Sequence, residues 1–456
     1  MSSLAVTSPT FALAGATGVT VTLTGVGTSW TSGTPGTPTF TCSQGTITAQ
    51  TVASGTSATL TYSAPAGSEA EVFSDPSTSN TTSAFPILIP PSDANIYYSP
   101  ACWHGGWAPT NGSYFKVGLL IPSLTTISLY FNTAALGSAQ LWVRTAIDDL
   151  SATNANISGT SSLSLGTVSA ATRQLQVFYR GRDFNDDWTA TPPSEAFVVN
   201  GIYAPGCTTS APTLFPGILI GYGDSKGEGC DALPGGGGNS VDYDGQVSFV
   251  GQIAYALGCE YGMRCYGGTG WTLGQGAIPP FFTPGNDARS FWNKLSAGQA
   301  APVPTLGSGQ AGYVVTFNLG ANDAQVSASG ASVTASVQGW LAAARAAYPK
   351  PWWLIVIPSF DGRYTTYVQT GVTNYLAANI DQYCACVVPN FPSWIQNCWL
   401  INNNQPNILS TEGEHPNVYG HGVIASWLTH LIDQVVQGNG VSGGSMIVRG
   451  QNLPVH

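Results

Sequence analysis

The hydrophobic pattern of this chain changes period once, near residue 213. Before that point apolar residues alternate with Thr, Ser and Gly, as in "GVTVTLTGVG", "SATLTYSAP", "TISLYFNT" and "RQLQVFYRG". A period of two, cut every few residues by Gly and Pro, suits antiparallel strands with one face in a core. After that point the runs stop alternating. "GILIGYG", "GYVVTFNLG" and "WWLIVIP" are short and apolar throughout, as expected of strands covered on both faces. Helical patterns lie between and after them, over 245–258, 332–349, 368–383 and 418–436, and "CACVVPN" fits a fourth strand. Strands alternating with helices predict a parallel sheet with helices on both faces. In open sheets of this kind ligands bind beyond the strand C-termini.

The first half divides again. Residues 1–88 hold enough short strands for a small Ig-like sandwich, closed by the proline cluster "FPILIPPS". Residues 89–212 predict a second β-sandwich of jelly-roll type, a candidate carbohydrate-binding module. Residues 213–437 carry the α/β/α pattern, and the Gly-rich tail, 438–456, is expected to be flexible. The fold class is therefore multidomain: two all-β parts followed by one with a parallel sheet.

Only 8% of the 456 residues are charged, and the net charge is -10. Phosphate binding needs basic clusters, so nucleic acid is excluded as a partner. No apolar run approaches the length of a membrane helix, and the N-terminus lacks the basic start of a signal peptide. The composition still suits a secreted, extracellular protein. The nine cysteines are an odd number and match no zinc spacing, so most read as small buried residues with one or two bridges at most.

Ser225 follows directly on a buried-strand pattern, in "ILIGYGDSKGEG". A serine hydroxyl is a poor nucleophile until a base takes its proton. Of the five histidines, His421 and His430 fall inside the last helical pattern, His104 lies in the β-rich part and His456 is terminal. His415 alone stands in a polar loop ahead of a helix, in "STEGEHPNVYGHG". Pro416 fixes the backbone after it, and Asn417 can cap the helix. Glu412, three residues before the histidine, can orient the imidazole, with Glu414 as a rival.

Four blocks, in order, resemble the SGNH hydrolase (GDSL-type esterase) family. They are Gly223-Asp224-Ser225 with Gly229, "YGGTGWT" (266–272), "NLGANDA" (318–324) and "EGEHPN" (412–417). The resemblance covers roughly 213–437 and implies an α/β/α hydrolase domain. It implies that Ser225 attacks an ester carbonyl and that His415 serves as general base and acid. It places the oxyanion on the backbone N–H groups of Ser225 and Gly270 and on the Asn322 carboxamide, with no metal or cofactor. The family usually has Asp where this chain has Glu412, so Glu412 as third member of the triad is the departure. Asp224 and Asp323 read as turn braces, Asp224 also as a candidate substrate contact, and Trp271 as a candidate substrate wall.

Gly223 to Gly227 also fits the G-x-S-x-G elbow of α/β-hydrolases, and "WHGGW" faintly resembles their oxyanion loop. That fold needs several β/α units ahead of its elbow, where this chain is all-β. Trp103, Trp107, Tyr114 and Phe115 read either as a sugar-stacking platform or as sandwich core. β-Modules joined to such a hydrolase resemble the layout of carbohydrate esterases, which implies an acetylated polysaccharide or oligosaccharide as substrate. An esterase or lipase acting on small or lipid esters, and a non-catalytic carbohydrate-binding or adhesion protein with a degenerate hydrolase domain, are the alternatives.

Overall fold

The structure, a computed structural model, describes residues 2–30, 38–134, 140–148, 152–182, 188–193, 196–233, 242–286, 289–304, 306, 309–360, 362–388, 415–437 and 447–448. The chain is mostly β, with several sheets, one of them parallel, and few helices.

Up to Leu88 the strands form a four-stranded antiparallel sheet and two three-stranded sheets. Ser57–Ser63 alternates half-buried and buried positions, and Ala58, Leu60 and Tyr62 enter the core together with Val21, Leu23 and Phe73. Between Tyr97 and Ser210 two further sheets face each other. One contains Tyr114–Ile121, Ala171–Arg182 and Leu141–Ile147, and the other Phe197–Tyr203, Thr125–Asn132 and Ser162–Val168. Thr125–Asn132 buries every second residue, which is the alternation its sequence shows. Trp103, Trp107, Tyr114 and Phe115 are all buried, so they fill cores and offer no sugar platform.

From residue 217 the sheet is parallel. Its strands are β1 (Gly217–Gly223), β2 (Cys259–Cys265), β3 (Ala311–Leu319), β4 (Trp353–Pro358), β5 (Cys384–Val387) and β6 (Ile447–Val448), in the order β2-β1-β3-β4-β5-β6. The described helices are α1 (Ser225–Glu228), α2 (Phe249–Ala256), α3 (Ala321–Gln325), α4 (Gly330–Ala347), α5 (Thr365–Ala378) and α6 (Val418–Gln437). Helices α4 and α5 cover one face with a core around Trp340, Val333 and Val372. Helices α2 and α6 cover the other, around Phe249, Ile253 and Leu428. With both faces covered, the strands can be apolar throughout. The tail differs from expectation. Ile447 and Val448 pair with Cys386 and Val387 and extend the sheet by one strand, because the open edge of β5 offers backbone groups that a β-branched pair can satisfy. The rest of 438–456, His456 included, lies outside the described residues.

The antiparallel sandwich and the parallel sheet meet through buried polar contacts. Glu260 accepts from Tyr114 Oη at 2.5 Å and pairs with Lys116 at 2.8 Å. Thr110 Oγ1 donates to the Met263 carbonyl at 2.7 Å, and Asn111 Nδ2 to Glu228 Oε1 at 3.1 Å. The last bond reaches α1 itself, the helix that begins at Ser225. The eight described cysteines are free thiols, all buried except the half-buried Cys42. No helix among the described residues is long and apolar enough to cross a membrane.

Candidate active site

The strand order reverses between β1 and β3, and the ends of these two strands define the crevice where such sheets bind ligands. At the end of β1 the chain turns at Asp224, whose side chain accepts from the Lys226 N–H at 3.0 Å and caps α1. This places the next residue, Ser225, at the first position of a one-turn helix, where its N–H has no intrahelical acceptor. Gly229 ends α1 in the left-handed region, and a side chain there would strike the Asp244 backbone. Asp224 is itself buried and braces the turn, which leaves it no surface for contact with substrate.

Two residues past Gly229 stands Asp231, fully buried, with φ 54°. Few non-glycine residues hold that conformation, although Asp tolerates it better than most. Its carboxylate Oδ2 is 3.2 Å from His415 Nδ1, and His415 Nε2 is 2.9 Å from Ser225 Oγ. Three groups from two distant segments thus stand in line: carboxylate, imidazole, hydroxyl. The segments are fastened together by the Val418 N–H, which donates to the Ala232 carbonyl at 2.7 Å. Asn417 caps α6 by accepting from the Gly420 N–H at 2.9 Å and so fixes the loop that carries His415. Glu412 and Glu414 lie outside the described residues. Asp231 is the residue that sequence reasoning missed.

Behind β3, Asn322 sits in the first turn of α3. Its Nδ2 donates to the Thr269 carbonyl at 2.8 Å and lies 3.4 Å from Asp224 Oδ2. Both N–H groups of the carboxamide are thus engaged, and the longer, weaker bond to Asp224 is the one that would have to be given up for an N–H to turn to a developing oxyanion. Asp323 accepts from the Trp271 and Thr272 N–H groups, both at 2.8 Å, and from Thr272 Oγ1. It is a brace, as its sequence context suggests.

Two expectations require correction. The Gly270 N–H donates to the Leu273 carbonyl at 2.8 Å, so it does not face the site. Glycine is needed at 270 for a different reason: a Cβ there would collide with the Asp323 carboxylate. Trp271 is completely buried, packed edge-on against Phe281 with ring centroids 5.2 Å apart, and so is no substrate wall.

The same corner brings the ligating atoms of Cys230, Asp231 and His415 within 4.8 Å of one another, the one such grouping found among the described residues. Burial, and then the Asp231 charge, push the Cys230 thiol well above its ordinary range.

His421 lies six residues beyond His415, in the first turn of α6. Its Nδ1 accepts from the Phe249 N–H at 3.2 Å, and the ring is fully buried. Burial first, and the nearby His415 second, lower its pKa from 6.5 to about 3. Between those two values the unfolded chain binds a proton that the folded chain refuses. Stability therefore falls as pH drops from 6.5 towards 3, by on the order of a few kcal/mol in total. His421→Gln keeps an acceptor and removes the titration. Urea midpoints measured from pH 7 to pH 4 should drop less steeply in this variant than in the wild type, and parallel curves would show that acid lability originates elsewhere.

No protein-family model matches the sequence, and neither does any curated protein. Solved structures do match. One is a family two carbohydrate esterase from Clostridium thermocellum in complex with cellohexaose, 16% identical, with a TM-score of 0.54, covering 74% of this chain and 98% of that one. Another is a family two carbohydrate esterase from Cellvibrio japonicus, 15% identical, with a TM-score of 0.56, covering 77% and 98%. A third is an acetyl xylan esterase from the rumen bacterium Butyrivibrio proteoclasticus, 13% identical, with a TM-score of 0.56, covering 75% and 96%. At such identities the likeness is one of fold: over 74 to 77% of its length this chain is built like a family two carbohydrate esterase.

Proposed function

We propose that this protein is a serine esterase that removes acetyl groups from polysaccharides or oligosaccharides outside the cell. The observation that carries the reading is the 2.9 Å contact between Ser225 Oγ and His415 Nε2, with a buried carboxylate behind the imidazole. In the proposed reaction His415 takes the Ser225 proton as Oγ attacks the acetyl carbonyl. The Ser225 N–H and the Asn322 carboxamide stabilise the resulting oxyanion, an effect for which one donor is typically worth about 10²–10³ in rate. The tetrahedral adduct collapses, and the sugar oxygen leaves with the proton that His415 carries. A water molecule then repeats the cycle on the acetyl-enzyme. Asp231 keeps Nδ1 protonated and steadies the imidazolium. The three-part organisation, with an Ig-like part over 1–88, a jelly-roll-like part over 89–212 and an SGNH hydrolase part over 213–437, belongs to the same proposal.

The choice of a carbohydrate ester rests on the fold likeness to carbohydrate esterases. The test is acetate release from acetylated xylan, mannan and cellulose, alongside p-nitrophenyl acetate, butyrate and octanoate. The expected result is release from at least one polymer and a preference of about tenfold or more for acetate over octanoate in kcat/KM. A preference for octanoate would move the protein to lipid esters, and no turnover of any ester would leave a degenerate hydrolase.

A further inference from the structure

A groove of about 1510 Å³ runs between the antiparallel sandwich and helices α2 and α6. It includes none of Ser225, Asp231, His415 or Asn322. Along one side it follows a single stripe of α6 that holds Val418, Gly422, Ser426 and His430 and ends at Asp433. At 1.5 Å per residue that stripe is roughly 22 Å long. The groove therefore starts one turn from His415 and continues towards the opposite end of the sheet.

We infer that this groove binds a neutral glycan chain, at a second site separate from the reacting serine. Two aromatic rings stand open in it. Tyr255, on α2, is 76% exposed and Phe215, just before β1, is 37% exposed. Their centroids are 6.1 Å apart with planes at 87°, and Lys116 Nζ, 5.5 Å from the Phe215 centroid, supports that ring. Single exposed apolar side chains need no explanation, but a pair in contact within a concave surface marks a binding site. A pyranose presents apolar C–H faces and a rim of hydroxyls. The rings match the faces. The amides of Gln174, Gln176, Gln246 and Gln252, which also line the groove, match the rim.

Charge selects the class of glycan. Both cations on the groove wall are matched by carboxylates, Lys116 by Glu260 at 2.8 Å and Arg144 by Asp244. Arg144 also donates to Gln246 Oε1 at 2.8 Å, which holds that amide in place. With its cations neutralised internally, the groove offers an acidic polymer no electrostatic reward, and the net charge of -10 repels one.

The inference rests on the carbohydrate part of the proposed function but not on its esterase chemistry. The test is affinity electrophoresis of the full chain in gels containing ester-free xylan, hydroxyethylcellulose or polygalacturonate. It compares wild type, the double variant Phe215→Ala/Tyr255→Ala and the groove-filling Ser426→Trp. Retardation of wild type by at least one neutral polymer is expected, with both variants weakened by about tenfold or more, as loss of aromatic anchors implies. Hydrolysis of p-nitrophenyl acetate should stay within twofold in both variants, which also reports folding. Unchanged retardation of the variants would place glycan binding elsewhere. Retardation by polygalacturonate alone, or by nothing, would overturn the assignment, as would a wild-type dimer on size exclusion that the double variant dissociates. If wild type hydrolyses no ester yet binds neutral polymers through these residues, the esterase reading fails and the groove stands.

Discussion

Ser225→Ala should lower kcat for p-nitrophenyl acetate by about 10⁴–10⁶-fold and leave the fold intact. The size of the loss follows from the arrangement. The hydroxyl is the proposed nucleophile, and it is the group hydrogen-bonded to His415 Nε2, at 2.9 Å. What survives is the part of catalysis due to oxyanion donors and substrate binding, typically about 10³–10⁴ over water. The fold should survive because Ser225 makes its helix contacts through the backbone: its carbonyl accepts from the Cys230 N–H at 3.0 Å. Alanine retains that bond and is a good helix former. The loss should appear in kcat with KM little changed, because the interaction removed belongs to the transition state. His415→Ala should lose a similar amount, and the double variant no more than either single one, because the two groups act as a unit. Equal turnover by wild type and Ser225→Ala would remove the nucleophile and the proposed function with it.

The strands and helices of the parallel sheet were legible because burial on both faces leaves an unmistakable mark: apolar runs with no period, alternating with runs of period 3.6. Ser225 and His415 were legible for a related reason. Each is a polar residue at the edge of such an element, where a side chain can reach the crevice. Asp231 was not legible, because nothing local distinguishes it from Asp224, Asp242 or Asp244. It acts from a left-handed turn whose direction depends on Gly229 and on the fastening of Ala232 to α6. Trp271 was misread for the opposite reason. Its neighbours in sequence are Gly270 and Thr272, yet Phe281 and Trp340 pack against it from farther along the chain. The aromatic cluster at 281–282 and 291–292 was the available signal that this loop folds inward. The bond from Asn111 to Glu228 lay beyond any pattern, since it joins two polar residues 117 positions apart.

Asp231→Asn should lower kcat by about 10²–10⁴-fold, whereas Glu412→Ala should change it by less than about threefold. The substitution at 231 is close to isosteric, and Asn is among the few residues that share the tolerance of Asp for a left-handed backbone. The turn should therefore keep its shape, and thermal melting should show a stability near that of wild type. What changes is the proton on the imidazole. A carboxylate only accepts, so it holds the hydrogen on Nδ1 and leaves the Nε2 lone pair facing Ser225. An asparagine amide can present its N–H instead. Nδ1 must then accept, the hydrogen moves to Nε2, and the ring points a donor at the hydroxyl it should deprotonate. The imidazolium that forms during attack also loses its counter-charge. Both effects belong to the chemical step, so KM should hardly move. Because removal of the serine proton by a correctly oriented neutral imidazole is what the variant loses, rate should recover partly at high pH, where hydroxide can take that proton. Glu412 lies closer to His415 in sequence, and the opposite outcome, a large loss at 412 with little at 231, would return the orienting role to that residue.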